Sequence, residues 1–217
     1  LATLQPSGQV RNLSARWEGP LDTPRRYQAR ASASGLTIAA AAAAESGRLG
    51  RPGWRNANVE FDADESGGRA RLSLDKGALV LPGLFEQPEI ALDGFATQLA
   101  WRITPQAGAP SALEVTLTDT RFANADAQGE LSTAHWRTGP GTGFARGARF
   151  PGQLDLGGRL SRGRAEAVAR YLPLRLPERV RHYVEHAVSD GRVTEATFKV
   201  KGDLWDFPFA LPSAAAS

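Results

Sequence analysis

Apolar and polar residues alternate with a period of two along most of the chain. Leu13, Ala15 and Trp17 stand against Ser14 and Arg16, and Tyr27, Ala29, Ala31 and Ala33 against Gln28, Arg30, Ser32 and Ser34. Successive side chains of a strand point to opposite faces, so this period predicts strands with one dry face and one wet face. Gly19-Pro20 and Pro24 separate the first two. Val59, Phe61 and Ala63, the turn Ser66-Gly67-Gly68, and then Ala70, Leu72 and Leu74 predict a hairpin over residues 57–75. Leu79-Val80-Leu81 is a short apolar run stopped by Pro82. Phe95, Thr97, Leu99, Trp101 and Ile103 predict a longer strand, and Leu113, Val115 and Leu117 another. Gly129 to Trp136 is a less regular strand, and Leu154, Leu156 and Leu160 mark one more. Leu36-Thr37-Ile38 and the six alanines after it carry two signals. Alanine is the best helix former, whereas Gly35 and the flanking strands favour a strand that runs on, which is the reading adopted.

The period changes near the C-terminus. Val180, Tyr183, Val184, Ala187 and Val188 fall on one stripe of a helix predicted from Pro177 to Asp190. Arg179, Arg181, His182, Glu185 and His186 take its other face. Pro177 suits a first turn, and Gly191 is expected at a left-handed position beyond the helix end. Residues 164–170 predict a second short helix. After Gly191 the period returns to two, with Ala196, Phe198 and Val200 against Thr197, Lys199 and Lys201. The organisation read from this is a β-sheet region over 1–163, a helical segment over 164–190, a strand returning to the sheet over 191–209, and a linker or disordered tail over 210–217. Strands with one dry face predict a largely antiparallel sheet. That face needs cover from a second sheet, from helices, from closure on itself or from a ligand. Two short helices are too few, which leaves a sandwich, a barrel or an open curled sheet.

Composition narrows the function more than the fold. A chain of 217 residues supports one large or two small domains. Only three of the 26 basic residues are lysines, and the formal charge is +3. The basic residues are scattered among 23 acids, so no nucleic-acid partner is expected. Cysteine is absent, which excludes disulfides, thiol nucleophiles and cysteine-bound zinc. Methionine is absent even at position 1, so the chain is expected to start inside a longer protein. No run approaches the roughly 20 apolar residues of a membrane-spanning helix. Nor does the start resemble a signal peptide. Either the protein is cytoplasmic, or its targeting and anchoring segments lie outside these residues.

Candidate chemistry is sparse. His182 and His186 are four apart on one helix, but the zinc-protease order H-E-x-x-H needs a glutamate where Tyr183 stands. They read as solvated helix residues, with Glu185 as the one conceivable third ligand, and no metal or cofactor is expected. Gly139-Pro140-Gly141-Thr142-Gly143-Phe144 fits neither phosphate-loop pattern and precedes no helix, so it reads as a mobile loop. There is no G-x-S-x-G elbow. Asp62, Asp64 and Glu65 read as a solvated strand edge. Trp17, Phe61, Trp101 and Phe198 read as core or as the lining of a ligand groove. No catalytic residue is expected.

The order Tyr171-Leu172-Pro173, amphipathic helix, Gly191-Arg192-Val193, alternating strand, Gly202-Asp203-Leu204 and Asp206-Phe207-Pro208-Phe209 resembles the central region of the YhdP family. These are AsmA-like envelope proteins of Gram-negative bacteria. Pro6-Ser7-Gly8, Pro52-Gly53-Trp54, Leu81-Pro82-Gly83-Leu84-Phe85 and Asn124-Ala125-Asp126 extend the likeness over roughly residues 6–209. The resemblance implies a mainly β fold, a long, twisted, largely antiparallel sheet curled around an apolar groove, with two short helices near the C-terminus. It implies a periplasmic protein attached to the inner membrane through a segment outside these residues. Its function would be to carry phospholipid toward the outer membrane, with acyl chains in the groove. The candidate lining residues are Phe61, Leu72, Leu74, Leu99, Trp101, Ile103, Leu113, Val115, Leu117, Leu154, Leu156, Phe198 and Val200. The competing expectation is a non-catalytic structural or protein-interaction module with a closed core. An enzyme, for instance one acting on glycans, ranks behind both.

Overall fold

Ten strands hydrogen-bond into one antiparallel sheet in the computed structural model, which describes residues 5–20, 22, 25–43, 49–143, 145–188 and 190–207. In chain order they are β1 (Ser7–Glu18), β2 (Arg26–Ile38), β3 (Gly53–Asp64), β4 (Gly67–Val80), β5 (Glu89–Gln106), β6 (Ala109–Ala123), β7 (Ala127–Arg137), β8 (Gln153–Arg164), β9 (Arg192–Val193) and β10 (Ala196–Asp203). From β1 to β8 each strand pairs with the next, so the sheet is a meander. β10 and the short β9 both pair with β8, and β1 and β10 form opposite open edges. Neither a second sheet nor a closed barrel is present among the described residues. The tail over 210–217, Pro208, Phe209, Ala44 and Phe144 lie outside them.

The alternation is not unbroken. Asn12, Gly35, Asn56, Lys76 and Asp119 take positive φ of 52°, 61°, 58°, 49° and 51°. Bulges or register shifts lie beside them, between Arg11 and Ser14, Ala33 and Leu36, Arg55 and Ala57, and Ala96 and Gln98. An inserted residue switches which parity faces the dry side, bends the strand and increases its twist. In β4 Leu72 and Leu74 share that side with Leu79, and they pack together around Ala57 and Leu92. In β6 the even residues Thr120 and Phe122 replace the odd ones after the bulge, facing Leu131 and Gly129. Asn56 bridges two bulges by donating from Nδ2 to the Asp75 carbonyl at 2.8 Å.

The polyalanine run does not extend β2, which ends at Ile38. Ala41 instead forms an isolated bridge with Arg51, through bonds of 3.0 and 2.8 Å. A Cβ on Gly53 would lie 2.4 Å from the Ala40 nitrogen, so small residues are what let these two backbones meet.

The second predicted helix is a 3-10 helix, Ala165–Tyr171. The longer one, α1, is shorter than predicted, Glu178–Ala187. Its expected apolar stripe is largely uncovered, with Val180 at 37% and Tyr183 at 74% exposure. The reason lies in what α1 packs on. It rests on the 3-10 helix and the β4–β5 turn, and Arg181 reaches Glu86 there at 3.7 Å. The covered side therefore carries Arg181, Val184 and Val188.

Gly191 has positive φ, 148°, as expected, but it lies beyond Asp190 rather than directly after the last helical residue. Its carbonyl accepts from the Ala165 N–H at 2.9 Å, and an added Cβ would lie 3.2 Å from Ala165 Cβ. Gly191→Val is expected to lower stability by about 1 kcal/mol or more, read as a lower unfolding midpoint.

Candidate functional site: the apolar face of the sheet

Cross-strand pairing puts every predicted lining residue on one face. One row runs Ala31, Phe61, Ala70, Leu99, Leu117. The next runs Gly68, Trp101, Val115, Trp136, Leu154, Gly202. Ile103 faces Leu113, and Leu156 lies between Ala134 and Val200. The longest row crosses from β2 to β10 as Leu36, Ala57, Leu74, Phe95, Phe122, Gly129, Leu160, Ala196. Leu72 and Phe198 complete the set, opposite Val59 and Gly158.

These side chains are sheltered without being sealed. Leu74 is buried at 5%, and the other twelve predicted lining residues are half-buried. Of the seven buried hydrophobics among the described residues, five are alanines, and the largest fully buried side chain is Thr120. A closed core would enclose large aliphatic and aromatic side chains on all sides. Here the large side chains shelter small ones between them. Thr97 and Thr120 are examples, joined through their hydroxyls at 2.7 Å.

Three aromatic rings lie against glycines of the neighbouring strand. A Cβ on Gly68 would come within 2.5 Å of the Trp101 ring. On Gly158 it would come within 2.7 Å of the Phe198 ring, and on Gly129 within 3.0 Å of the Phe122 ring. The missing side chains let these rings lie low on the sheet rather than stand away from it.

The opposite face is a ladder of exposed charges. Arg30 pairs with Asp62 at 3.0 Å, Arg159 with Glu130 at 3.1 Å and Lys201 with Asp155 at 2.7 Å. Lys201 holds the Asp155 carboxyl below its ordinary range, mainly through that hydrogen bond. Such exposed pairs are screened by water and contribute little to stability. Shallow depressions on this face lie between long side chains such as Arg11, Glu60, Arg71, Gln98 and Asp119. The acids singled out from the sequence are separately engaged. Asp62 is paired with Arg30, Asp64 accepts from Ser66 at 2.7 and 2.6 Å, and Glu65 accepts from the Tyr27 N–H at 3.1 Å. His182 and His186 are exposed on α1, and His182 borders a depression that it shares with Glu86, Arg170 and Arg181.

The stretch over 139–144 that reads as a mobile loop belongs to a longer connection over 138–152, whose later part is joined to its surroundings by hydrogen bonds. Gly147 N–H donates to Asp203 at 2.8 Å, and the Trp136 indole N–H donates to the Pro151 carbonyl at 2.9 Å. Arg146 pairs with Asp206 at 3.0 Å, while Phe207 N–H donates to the Leu204 carbonyl at 3.3 Å.

Three of the short stretches that carry the resemblance meet at one end of the sheet. Asp126, with its side chain 7% exposed, accepts from Arg170 at 2.6 Å and from the Tyr171 hydroxyl at 2.9 Å. Asn124 donates to that hydroxyl at 2.8 Å and caps the β6–β7 turn through the N–H groups of Asp126 and Ala127. Burial raises the Tyr171 phenol above its ordinary range, and the bond to Asp126 adds to the rise. Tyr171 meets Phe85 edge to face at 6.2 Å. Just past Leu172 and Pro173, Leu174 N–H donates to the Leu84 carbonyl at 2.9 Å. The helical segment therefore leaves β8 and ties down the β6–β7 and β4–β5 turns in succession.

Sequence reasoning missed several members of the apolar face. Phe122 and Leu131 sit next to shifts in register, where the period of two fails. Comparisons with curated proteins and with solved structures give no match. The family model described as YhdP protein matches residues 1–213, and on that match the chain belongs to the YhdP family.

Proposed function

We propose that this chain is a segment of a periplasmic protein that carries phospholipid toward the outer membrane, with acyl chains on the apolar face of the sheet. The protein is held to the inner membrane through a part of the same polypeptide outside these residues. The observation that carries this reading is an unbroken apolar face, eight strands wide from β2 to β10, with no second layer on it among the described residues. Family membership supports it independently.

The driving force is solvent substitution. Acyl chains leave water for the dry face while the headgroup stays in water at an open margin. At ~0.8 kcal/mol per buried CH₂, a chain of about 16 carbons gains on the order of 10 kcal/mol before ordering costs. The low-lying rings of Trp101, Phe122 and Phe198 leave space above the sheet for such a chain. Passage requires no covalent chemistry, and the segment acts without a catalytic residue.

Photocrosslinking tests the reading. A photoreactive residue at Leu99, on the apolar face, is expected to form phospholipid adducts in living cells. The same residue at Gln98, on the charged face, is expected to form none. Equal labelling at both positions, or none at Leu99, would count against lipid on this face.

A further inference from the structure

We propose that His182, Glu185 and His186 form a binding site on α1 for a zinc-class divalent cation. One potential ligand atom from each of the three residues lies within 4.8 Å of the others. The sequence order is His-x-x-Glu-His, the reverse of the zinc-protease pattern; in that pattern the two histidines bind the metal and the glutamate acts as a base, so the role of Glu185 as third ligand rests on its position here. The forward order stops at Tyr183, whereas the reverse order includes Glu185.

The surroundings orient the ligands. His186 Nδ1 lies 2.7 Å from the His182 carbonyl oxygen. A carbonyl can only accept, so Nδ1 carries the proton and Nε2 presents its lone pair. This is the outer-shell hydrogen bond that fixes metal-ligating histidines in general. His182 lies between two carboxylates, with Nε2 3.4 Å from Glu178 and Nδ1 3.7 Å from Glu185. The His182 Nδ1 and the Glu185 oxygen, 3.7 Å apart, are therefore close to the spacing of two ligands of one ion. In a tetrahedral zinc site with bonds of about 2.0–2.1 Å, neighbouring ligand atoms lie roughly 3.3 Å apart, so a small rotamer adjustment closes the site. Arg181, the nearest cation in sequence, is turned toward Glu86. Two imidazoles and one carboxylate suit zinc better than calcium or magnesium, and water completes the coordination.

Such an ion would cross-link successive turns of a ten-residue helix. A helix of that length is marginal by itself in water. The proposal is independent of lipid binding on the sheet.

The test uses the untagged chain, stripped with a chelator and titrated with zinc chloride against a chromophoric competitor. The chain has three histidines, so His135 on β7 is an internal control. One ion per chain is expected, with imidazole resonances of His182 and His186 shifting and that of His135 unmoved. Glu185→Gln is expected to weaken binding roughly tenfold or more. The double variant His182→Ala with His186→Ala is expected to abolish it. Alanine is a better helix former than histidine, so α1 survives this change, and circular dichroism confirms it. Absence of competition by the wild-type chain, unchanged affinity in the double variant, or a shift confined to His135 would each overturn the proposal.

Discussion

A Trp101→Asp chain is expected to fold and to lose its hold on phospholipid. Trp101 is half-buried on a face with no second layer, and its ring lies on Gly68. A carboxylate placed there reaches water, so the cost is the lost apolar contact, about 1–2 kcal/mol. An acyl chain crossing that point, however, would have to pass a charge. The same substitution at Leu74 gives the contrasting result. Leu74 is 5% exposed and packed among Ala57, Leu92 and Phe95. A carboxylate there is buried without a partner, which costs several kcal/mol, comparable with a domain's whole stability. Leu74→Asp is therefore expected to be insoluble or unfolded. Thermal unfolding together with lipid extraction separates the cases. Unfolding of both variants would point to a sealed core.

Loss of the Asp126 side chain is expected to release the helical segment from the sheet. Asp126 takes hydrogen bonds from Arg170 and Tyr171 and is nearly buried. Asp126→Ala takes away the acceptor of the Tyr171 hydroxyl, which keeps only the bond from Asn124, and leaves Arg170 without its partner, at a cost of about 2–3 kcal/mol. Arg170 is partly exposed and can turn to water, which keeps the figure below that of a fully buried pair. Amides of α1 and the 3-10 helix are expected to exchange faster with solvent, while those of β3 to β6 keep their protection. Tyr171→Phe is expected to cost somewhat less, about 1–2 kcal/mol, because it removes the hydroxyl's two hydrogen bonds, from Asn124 and to Asp126, and leaves the ion pair. Uniformly faster exchange across the sheet would mean that the network supports the whole fold.

How much of this was legible in the sequence depended on one physical signal, the period of two. Where a strand is regular, as from Phe95 to Ile103, the alternation located both the strand and its dry face. It failed wherever a left-handed residue was inserted. Asp119 has no glycine or proline beside it, and Lys76 has only Gly77, a residue the strand carries straight through, so Leu79 and Phe122 could not be assigned to the face that Leu74 and Leu117 share. The helical period placed α1 but misjudged its orientation. The side facing the protein is decided by Arg181 reaching Glu86, a partner 95 positions away that local periodicity cannot reveal. The number of layers was equally hidden, because one dry face has the same pattern whether a second sheet, a closed barrel or a lipid covers it. The meeting of Leu84-Phe85, Asn124-Asp126 and Tyr171 was foreshadowed only by the family resemblance, which singled out all three stretches.

Native mass spectrometry of the chain, purified from cells without detergent, tests lipid carriage on the open face most directly. The wild-type chain is expected to carry mass excesses equal to phospholipids, released on collisional activation. Folded Trp101→Asp is expected at the bare sequence mass. A wild-type chain that flies without lipid, beside a Trp101→Asp chain that does not fold, would contradict an open lipid-bearing face.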